Sequence, residues 1–383
     1  MNFSDVIGQN HIKSHLKTTV ATGRVAHAQL FSGINGSGLL PMAIAYAAEL
    51  LASHYEKGSA EYEASHRKVR EFNHPDLHFF YPVNTTKEVK KDALSHDFAE
   101  QWREFVQQNP YASLFEWLQS LGIGDKQGNI SRGEANHISK KLSLKSHEGG
   151  YKIAIIWMAE NMNISCANAI LKLIEEPTDK TVLLLLSERE ENILTTIKSR
   201  CQKISFPRLP DAEIANGLIK KYNLEESKAI QISRRAQGDF NKAIQLSGET
   251  DGDAQFESWF IALVRTAFMA KQDKKAIREL LAWTDHIASA GRETQKKFLI
   301  FSIEMFRQAL LTNYQTHELV YYNTYDPGFS LRKFAPYVHH NNIEEIFKTL
   351  EEATYHVERN AHAKILFMDL SIKLTRLLHA KRS

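Results

Sequence analysis

A glycine-rich loop between a predicted strand and a predicted helix is the feature that most constrains the fold. Residues 31–40 have the sequence FSGINGSGLL; an apolar stretch over 28–32 precedes the loop and a helical pattern over 42–52 follows it. This order is typical of phosphate-binding loops, in which glycines let backbone N–H groups close on phosphate oxygens. It predicts a nucleotide-binding-type core.

The same loop lacks the charged chemistry of a working phosphate site. The consensus G-x-x-x-x-G-K-[ST] needs a Lys for the terminal phosphates and a hydroxyl for Mg²⁺. Gly33 and Gly38 keep the spacing, but Leu39 and Leu40 stand where Lys and Ser or Thr belong. With Gly36 they form a degenerate loop that we expect not to bind ATP, so no cofactor is predicted. Weak binding through the glycine backbone is the alternative.

Strands and helices alternate between residues 151 and 207. The apolar runs 152–157 and 182–186 are of the kind expected for strands buried on both faces. A helix is predicted between them from Ser165 to Glu176, ended by Pro177, and a short strand over 203–206. The pattern predicts an α/β fold with an open parallel sheet flanked by helices.

Composition excludes membrane-spanning and disulfide-bonded classes. The 383 residues are 43% hydrophobic and 24% charged, the mix of a soluble protein with two or three domains. The sequence has no apolar run of about 18 residues and no N-terminal basic and apolar signal pattern, and its 2 cysteines are too few for a disulfide scaffold. A cytoplasmic location without membrane contact is expected. The net charge of +3 permits nucleic-acid contact without arguing for it.

Five motifs give the chain a family resemblance. They are Gly8-Gln9, His27-Ala28, the glycine loop, the run 168–177 with the sequence NAILKLIEEP, and Ser199-Arg200-Cys201. In this order and spacing the chain resembles the AAA+ clamp-loader subunits of bacterial DNA polymerase III. The resemblance implies a P-loop-type AAA+ domain over 1–208 with an insertion near 85–128, a small helical lid over 209–248 and an all-α collar domain for oligomerisation over 249–383.

The degenerate loop makes the chain resemble the delta-prime type of subunit more than the ATP-hydrolysing motor type. In motor subunits, two acidic residues that hold Mg²⁺ and polarise water follow the strand corresponding to 153–156; here Trp157 and Met158 stand there. The lid Arg that senses ATP falls on Asn241. The resemblance implies a subunit without ATPase activity of its own. The alternative is a gamma/tau-like motor subunit with a divergent loop.

Arg200 is the predicted catalytic residue, acting in trans within the motif that Ser199 and Cys201 complete. In the family this arginine enters the ATP site of the neighbouring subunit as a finger, where its planar charged fork matches phosphate oxygens. The alternative is a surface ion pair or a helix C-cap contact. The implied partners are gamma/tau motor subunits and the delta subunit in a hetero-pentamer, and indirectly the sliding clamp and primer-template DNA. A DNA-binding module that works without a loader is a further alternative.

The remaining polar candidates are interpreted as structural. No metal or zinc site is expected, although four histidines lie where delta-prime relatives often carry a zinc module: His54, His66, His74 and His78. Adjacent helix positions point about 100° apart, so Glu175 and Glu176 are expected at a structural or interface position rather than as an acid/base pair.

Three further expectations concern surfaces and cores. The basic residues of the segment before the 152–157 strand are expected to form a solvated face, with a DNA-facing surface as the alternative: Arg132, Lys140, Lys141 and Lys145. Ile214, Leu218 and Ile230 are expected in the lid core. No chemistry can be assigned to the insertion.

Overall fold

The chain folds into two compact units, 1–247 and 248–383. The structure, a computed structural model, describes residues 1–124, 126–248, 252–270, 274–314, 320, 322, 326–359 and 361–380. None of the described helices is long and apolar enough to cross a membrane.

A five-stranded sheet organises the first unit. Its strands are β1 (Ala28–Gly33), β2 (Leu77–Phe80), β3 (Lys152–Ile156), β4 (Thr181–Ser187) and β5 (Gln202–Phe206). They lie in the order β2-β3-β4-β1-β5, and every pairing is parallel. The predicted open parallel sheet is confirmed. β3 and β4 are buried along their whole length, because they are internal strands with helices on both faces.

The helices of the α/β layer cover both faces of this sheet. They are α1 (Asn10–Thr22), α2 (Leu39–Ala52), α3 (Ala60–Arg70), α4 (Ala99–Gln108), α5 (Leu114–Ser120), α6 (Arg132–Ser143), α7 (Ile164–Glu175) and α8 (Thr195–Lys198). α2 is buried at nearly every position and shares one core with Phe31 and Leu184. On the opposite face, Leu30 and Leu183 pack in a second core with Ile170 of α7.

The insertion adds α4 and α5 to the edge of the first core. Three of its large aromatic side chains, Trp102, Phe105 and Trp117, are buried in mutual ring contact, whereas Phe115 is 45% exposed. Tyr81, just after β2, stacks on Trp102 with ring centroids 4.0 Å apart. The segment is therefore an integral part of the α/β layer.

Three helices form a small lid at the end of the first unit: α9 (Asp211–Tyr222), α10 (Glu226–Ala236) and α11 (Phe240–Gly248). Ile214, Leu218 and Phe240 are fully buried in its core. Ile230 is 41% exposed, so its predicted core position is wrong. The buried stripe of α10 runs through Ala229, Ile232, Ser233 and Ala236, and a residue one position beyond Ala229 points about 100° away from that stripe.

The second unit is helical in its described residues. It contains α12 (Gly252–Met269), α13 (Lys274–Ser289), α14 (Arg292–Asn313), α15 (Leu331–Phe334), α16 (His340–Glu358) and α17 (Ala363–Leu378). Four phenylalanines without solvent exposure form the centre of its core: Phe260, Phe298, Phe306 and Phe367. The apolar stripes of these helices are used for this internal core.

Candidate functional site

The glycine loop connects β1 to α2. Gly38 adopts φ +99° as the residue before α2, a backbone conformation that suits glycine. Leu39 and Leu40 are 7% and 3% exposed and belong to the hydrophobic core. The two positions that carry Lys and a hydroxyl residue in a working loop therefore stabilise the packing of α2.

Gln9 of the Gly8-Gln9 motif holds the glycine loop in place through hydrogen bonds. The side-chain amide of Gln9 donates to the carbonyl of Ser37 across 3.1 Å and to that of Pro207 across 2.7 Å. Ser37 in turn donates through its hydroxyl to the carbonyl of Ile34 across 2.6 Å. These bonds tie the loop to the end of β5.

The lid lies directly on the loop. The backbone N–H of Phe240 donates to the carbonyl of Gly36 across 3.2 Å. A Cβ added at Gly36 would lie 1.9 Å from Oδ1 of Asp239 and 2.6 Å from the Phe240 nitrogen. Gly36 is thus required for close approach of the lid, with its surface covered by protein.

A residue of the insertion, Tyr111, occupies the space between the glycine loop and the lid. Tyr111 is buried between the loop and the lid, where its hydroxyl accepts a hydrogen bond from the Ile7 N–H across 2.8 Å and its ring packs edge-on against Phe240 with centroids 4.9 Å apart. A cavity of about 20 Å³ remains, the room needed by one water molecule. It is lined by Ile34, Gly36, Gly38, Leu39, Leu40, Pro41, Pro110, Tyr111, Ala112, Trp157, Met158, Leu186 and Glu188.

Hydrogen bonds join the insertion to the lid at Asn241. The amide nitrogen of Asn241 donates to Oε2 of Glu116 across 2.6 Å, and its oxygen accepts from Asn109 across 2.7 Å. Gln245 donates to Oε1 of Glu116 across 3.0 Å. Burial pushes the pKa of Glu116 up, but hydrogen bonds from Ser113, Asn241 and Gln245 outweigh it and hold that pKa below its ordinary value. We call Asn109, Glu116, Asn241 and Gln245 the lid latch.

The positions that carry acidic residues in motor subunits are apolar and packed. Trp157 follows β3 and lies with its ring centroid 5.1 Å from that of Trp102 and 6.3 Å from that of Phe105. Met158 is buried beside it, with φ +54°. Trp157 thus belongs to the aromatic cluster of the insertion, so the side chain that replaces an acid also anchors the segment that fills the site.

A carboxyl group at the end of β4 faces this space. Burial raises the pKa of Glu188 to about 8, and the neighbouring carboxylates of Glu160 and Asp239 add to the effect. The backbone N–H of Glu188 donates to Oε1 of Glu160 across 3.0 Å. At neutral pH Glu188 is mostly neutral, and it supplies no positive charge for a phosphate.

Arg200 lies on the surface after α8. Its side chain is 43% exposed, and its Nε lies 2.6 Å from Oε1 of Glu175 at the end of α7. Its Nη1 also donates to the Thr196 carbonyl across 3.1 Å, a contact that caps α8. Ser199 donates through its hydroxyl to the same carbonyl, and Cys201 is a half-buried thiol whose pKa is raised by burial to about 11. Arg200 is therefore accessible, and it is held by an exposed carboxylate and by a carbonyl of α8, which are the surface ion pair and the helix C-cap contact of the alternative interpretation.

The four candidate histidines do not share a site. His74 lies 3.1 Å from Glu148 and 3.3 Å from the Ser65 hydroxyl, whereas His66 packs on the Tyr62 ring. His54 packs on Tyr55, and His78 lies on β2. No group of three or more His, Cys, Asp or Glu residues that could hold a metal exists among the described residues.

The basic candidates lie on and after α6. Lys140, Lys141 and Lys145 are exposed, and Nη1 of Arg132 donates to the Ser165 hydroxyl across 3.3 Å. Their predicted solvated or DNA-facing role stays a prediction.

Sequence reasoning missed Tyr111 and the lid latch. The sequence carried a signal only for the packing of Trp157 against the insertion, because an aromatic-rich insertion and an aromatic residue in place of an acid after β3 appear in the same chain. Large aromatic side chains bury more surface than other residues and cluster with each other. A packing contact between the insertion and Trp157 could therefore have been predicted from the sequence.

The strand order, the glycine loop leading into α2 and the three-helix lid define the AAA+ class of proteins. A family profile described as "DNA polymerase III, delta subunit" matches residues 8–210. The chain is 27% identical over 216 residues to the DNA polymerase III subunit delta' of Bacillus subtilis, covering 56% of this chain and 52% of that relative. Over 64 residues it is 50% identical to the delta' subunit of Pseudomonas aeruginosa, covering 17% of this chain and 19% of that one.

Proteins named as a tau subunit and as a gamma subunit-related protein match at lower identity. The B. subtilis subunit tau is 24% identical over 249 residues, covering 64% of this chain and 37% of tau. A solved DNA polymerase III gamma subunit-related protein of Thermotoga maritima has 14% identity and a TM-score of 0.42, with 95% of this chain and 99% of that chain covered. The chain belongs to the delta-prime family of bacterial DNA polymerase III clamp-loader subunits. Its match spans about half the length of the B. subtilis delta' relative.

Proposed function

We propose that this chain is a clamp-loader subunit that does not hydrolyse ATP and that donates Arg200 to the ATP site of a neighbouring motor subunit. Its partners in this proposal are gamma/tau-type motor subunits and a delta subunit in a hetero-pentamer. The complex would open the sliding clamp and place it on primer-template DNA.

One contrast carries the proposal: the chain fills its own nucleotide site while Arg200 stays accessible. The cavity at the loop is about 20 Å³ and its lining includes Leu39, Leu40 and Trp157. No Lys or Arg lines that cavity, so a triphosphate has neither room nor a counter-charge there. This favours the delta-prime role over that of a motor subunit with a divergent loop.

The surroundings of Arg200 suit a group that changes partners. Its ion pair with Glu175 joins two exposed side chains, 43% and 47% exposed. Exposed pairs contribute about 0–1 kcal/mol, so a phosphate group can displace Glu175 at little cost. Arg is suited to this exchange because its planar fork matches phosphate oxygens in a bidentate way. Arginine fingers elsewhere contribute about 10³–10⁵ in rate.

Reconstitution of the loader with variants of this chain tests the proposal. Arg200→Ala and Arg200→Lys should reduce clamp- and DNA-stimulated ATP turnover of the complex while leaving its assembly intact, as measured by size-exclusion chromatography. Arg24→Ala, at another exposed arginine, serves as the matched control. Unchanged turnover with Arg200→Ala would refute the finger role.

A second assay separates the motor alternative. The isolated chain is titrated with a fluorescent ATP analogue and assayed for phosphate release. We expect neither binding at micromolar concentrations nor turnover. Binding accompanied by hydrolysis would make the chain a motor subunit.

A further inference from the structure

The open edge of β2 carries a groove that the nucleotide site does not involve. β2 is the end strand of the sheet and pairs only with β3 among the described strands. Beside it lies a cavity of about 280 Å³, which is more than ten times the space left at the glycine loop. We call this cavity the β2 groove.

The backbone of β2 presents hydrogen-bonding groups to this groove. The carbonyls of Asp76 and Phe80 accept from Ile153 and Trp157 on the β3 side. Because successive residues of a strand direct their backbone groups to opposite sides, the N–H and C=O of Phe79 face the groove. The Phe79 carbonyl has one long contact there, 3.5 Å from the Ser95 hydroxyl. An unpaired strand edge of this kind is a template for an added strand.

The two walls of the β2 groove differ in chemistry. Phe72 and Phe79, with rings 5.6 Å apart, form an apolar wall that belongs to the first core. The opposite wall, on the α6 side of the sheet, carries His78, His137 and Lys141. Side chains alternate along a strand, so an added strand would direct every second residue to the apolar wall and the others to the wall that carries Lys141.

The charge around the groove is predominantly positive. Arg103 and Lys141 line it as permanent cations, and no Asp or Glu is among its lining residues. Burial lowers the pKa of His137 and brings that of His78 to about 4, so these two rings are neutral at neutral pH and add no positive charge. Of the nearby acids, Asp97 lies 3.4 Å from His96, and Glu134 is buried and accepts hydrogen bonds from Ser95. The groove therefore complements negative charge.

We propose that the β2 groove binds an extended peptide segment of a protein partner in which apolar and acidic residues alternate, added as a strand to the edge of β2. Such strand addition obtains affinity from main-chain hydrogen bonds and specificity from alternate side chains. The observations favour a peptide over a single-stranded nucleic acid, because bases need exposed aromatic faces for stacking, whereas Trp102 is only 2% exposed and the rings of Phe72 and Phe79 are partly buried against each other. The proposal does not depend on the role of Arg200.

Fluorescence anisotropy of labelled peptides with the full chain tests the proposal. The probe is a hexapeptide of alternating valine and glutamate. Its controls replace glutamate by lysine, or methylate the backbone nitrogens on one edge to remove strand hydrogen bonds. We expect saturable binding of the glutamate peptide and at least about tenfold weaker binding of both controls, equivalent to about 1.4 kcal/mol.

Charge-reversal variants locate the binding. Lys141→Glu combined with Arg103→Glu should weaken binding of the glutamate peptide about tenfold, whereas Lys145→Glu, at an exposed lysine that does not line the groove, should not. Both substituted residues of the test variant lie at the surface, and circular dichroism verifies that the fold is retained. Absence of binding, equal binding of the methylated peptide, or displacement by oligothymidine would overturn the proposal.

Discussion

Asn241 of the lid donates a hydrogen bond to Oε2 of Glu116 in the insertion across 2.6 Å. Asn241 stands where the family resemblance implies the lid arginine of a motor subunit. In this chain the same lid position meets a carboxylate of its own α/β layer. The chain thus supplies internally the contact that fixes the lid.

Replacing Glu116 should loosen the lid. Glu116→Ala removes the acceptor for both Asn241 and Gln245, and a hydrogen bond to a charged group contributes about 1.5–3 kcal/mol. We expect a loss of about that size in the free energy of unfolding and faster amide hydrogen exchange in α11. Glu104→Ala, at an exposed glutamate of α4, should change neither. Unaltered exchange in α11 would argue against the latch.

Tyr111 should contribute to the stability of the fold through its packing between the glycine loop and the lid. Tyr111→Phe keeps the ring against Phe240 and loses the acceptor for the Ile7 N–H, so it should cost about 1 kcal/mol. Tyr111→Ala also empties a buried site and should cost about 3–5 kcal/mol. Urea denaturation monitored by circular dichroism measures both changes. A larger loss for the Phe variant than for the Ala variant is the result that contradicts this role.

Restoring the consensus loop should not restore ATP binding. Leu39→Lys combined with Leu40→Thr places a charge in the core without enlarging the cavity of about 20 Å³. We expect destabilisation by about 3 kcal/mol, the scale of an uncompensated buried charge, and no binding of a fluorescent ATP analogue. Leu144→Lys, at a leucine that is 58% exposed, should be close to neutral. Micromolar ATP affinity in the double variant would show that the two leucines alone prevent binding.

Glu188 should make stability depend on pH in a defined direction. Its pKa is raised by burial from the ordinary value of 4.5 to about 8, so the folded state holds a proton that the unfolded state releases. The associated stability is fully present below about pH 4.5 and is lost as the pH rises towards 8, by at most roughly 1.4 kcal/mol per pH unit. Denaturation of Glu188→Gln over this range should show a flatter profile than the wild type, whereas Glu191→Gln, at an exposed glutamate, should not. Equal slopes for wild type and Glu188→Gln would rule out this contribution.

The sheet could be predicted because its signals are local. β3 and β4 are continuous apolar runs, and their burial on both faces follows from that composition. The loop defect could also be predicted, because Leu39 and Leu40 occupy fixed positions in a short consensus.

The lid latch could not be predicted in the same way. Glu116 and Asn241 are 125 positions apart, and neither side chain belongs to a local pattern that specifies a distant partner. The predicted burial of Ile230 was wrong for a related reason. The helical lid was predicted correctly, but which face of α10 is buried depends on the side that packs against the lid core. Contacts of this kind follow from tertiary packing rather than from periodicity.

Trp157 makes an acidic residue difficult to accommodate at the position after β3. An aspartate at this position would leave a space beside Trp102 and Phe105 and put a carboxylate among aromatic rings. A chain that gained an acidic residue at this position would therefore lose stability at once. The packing of the insertion thus restricts which residues the position after β3 can accept.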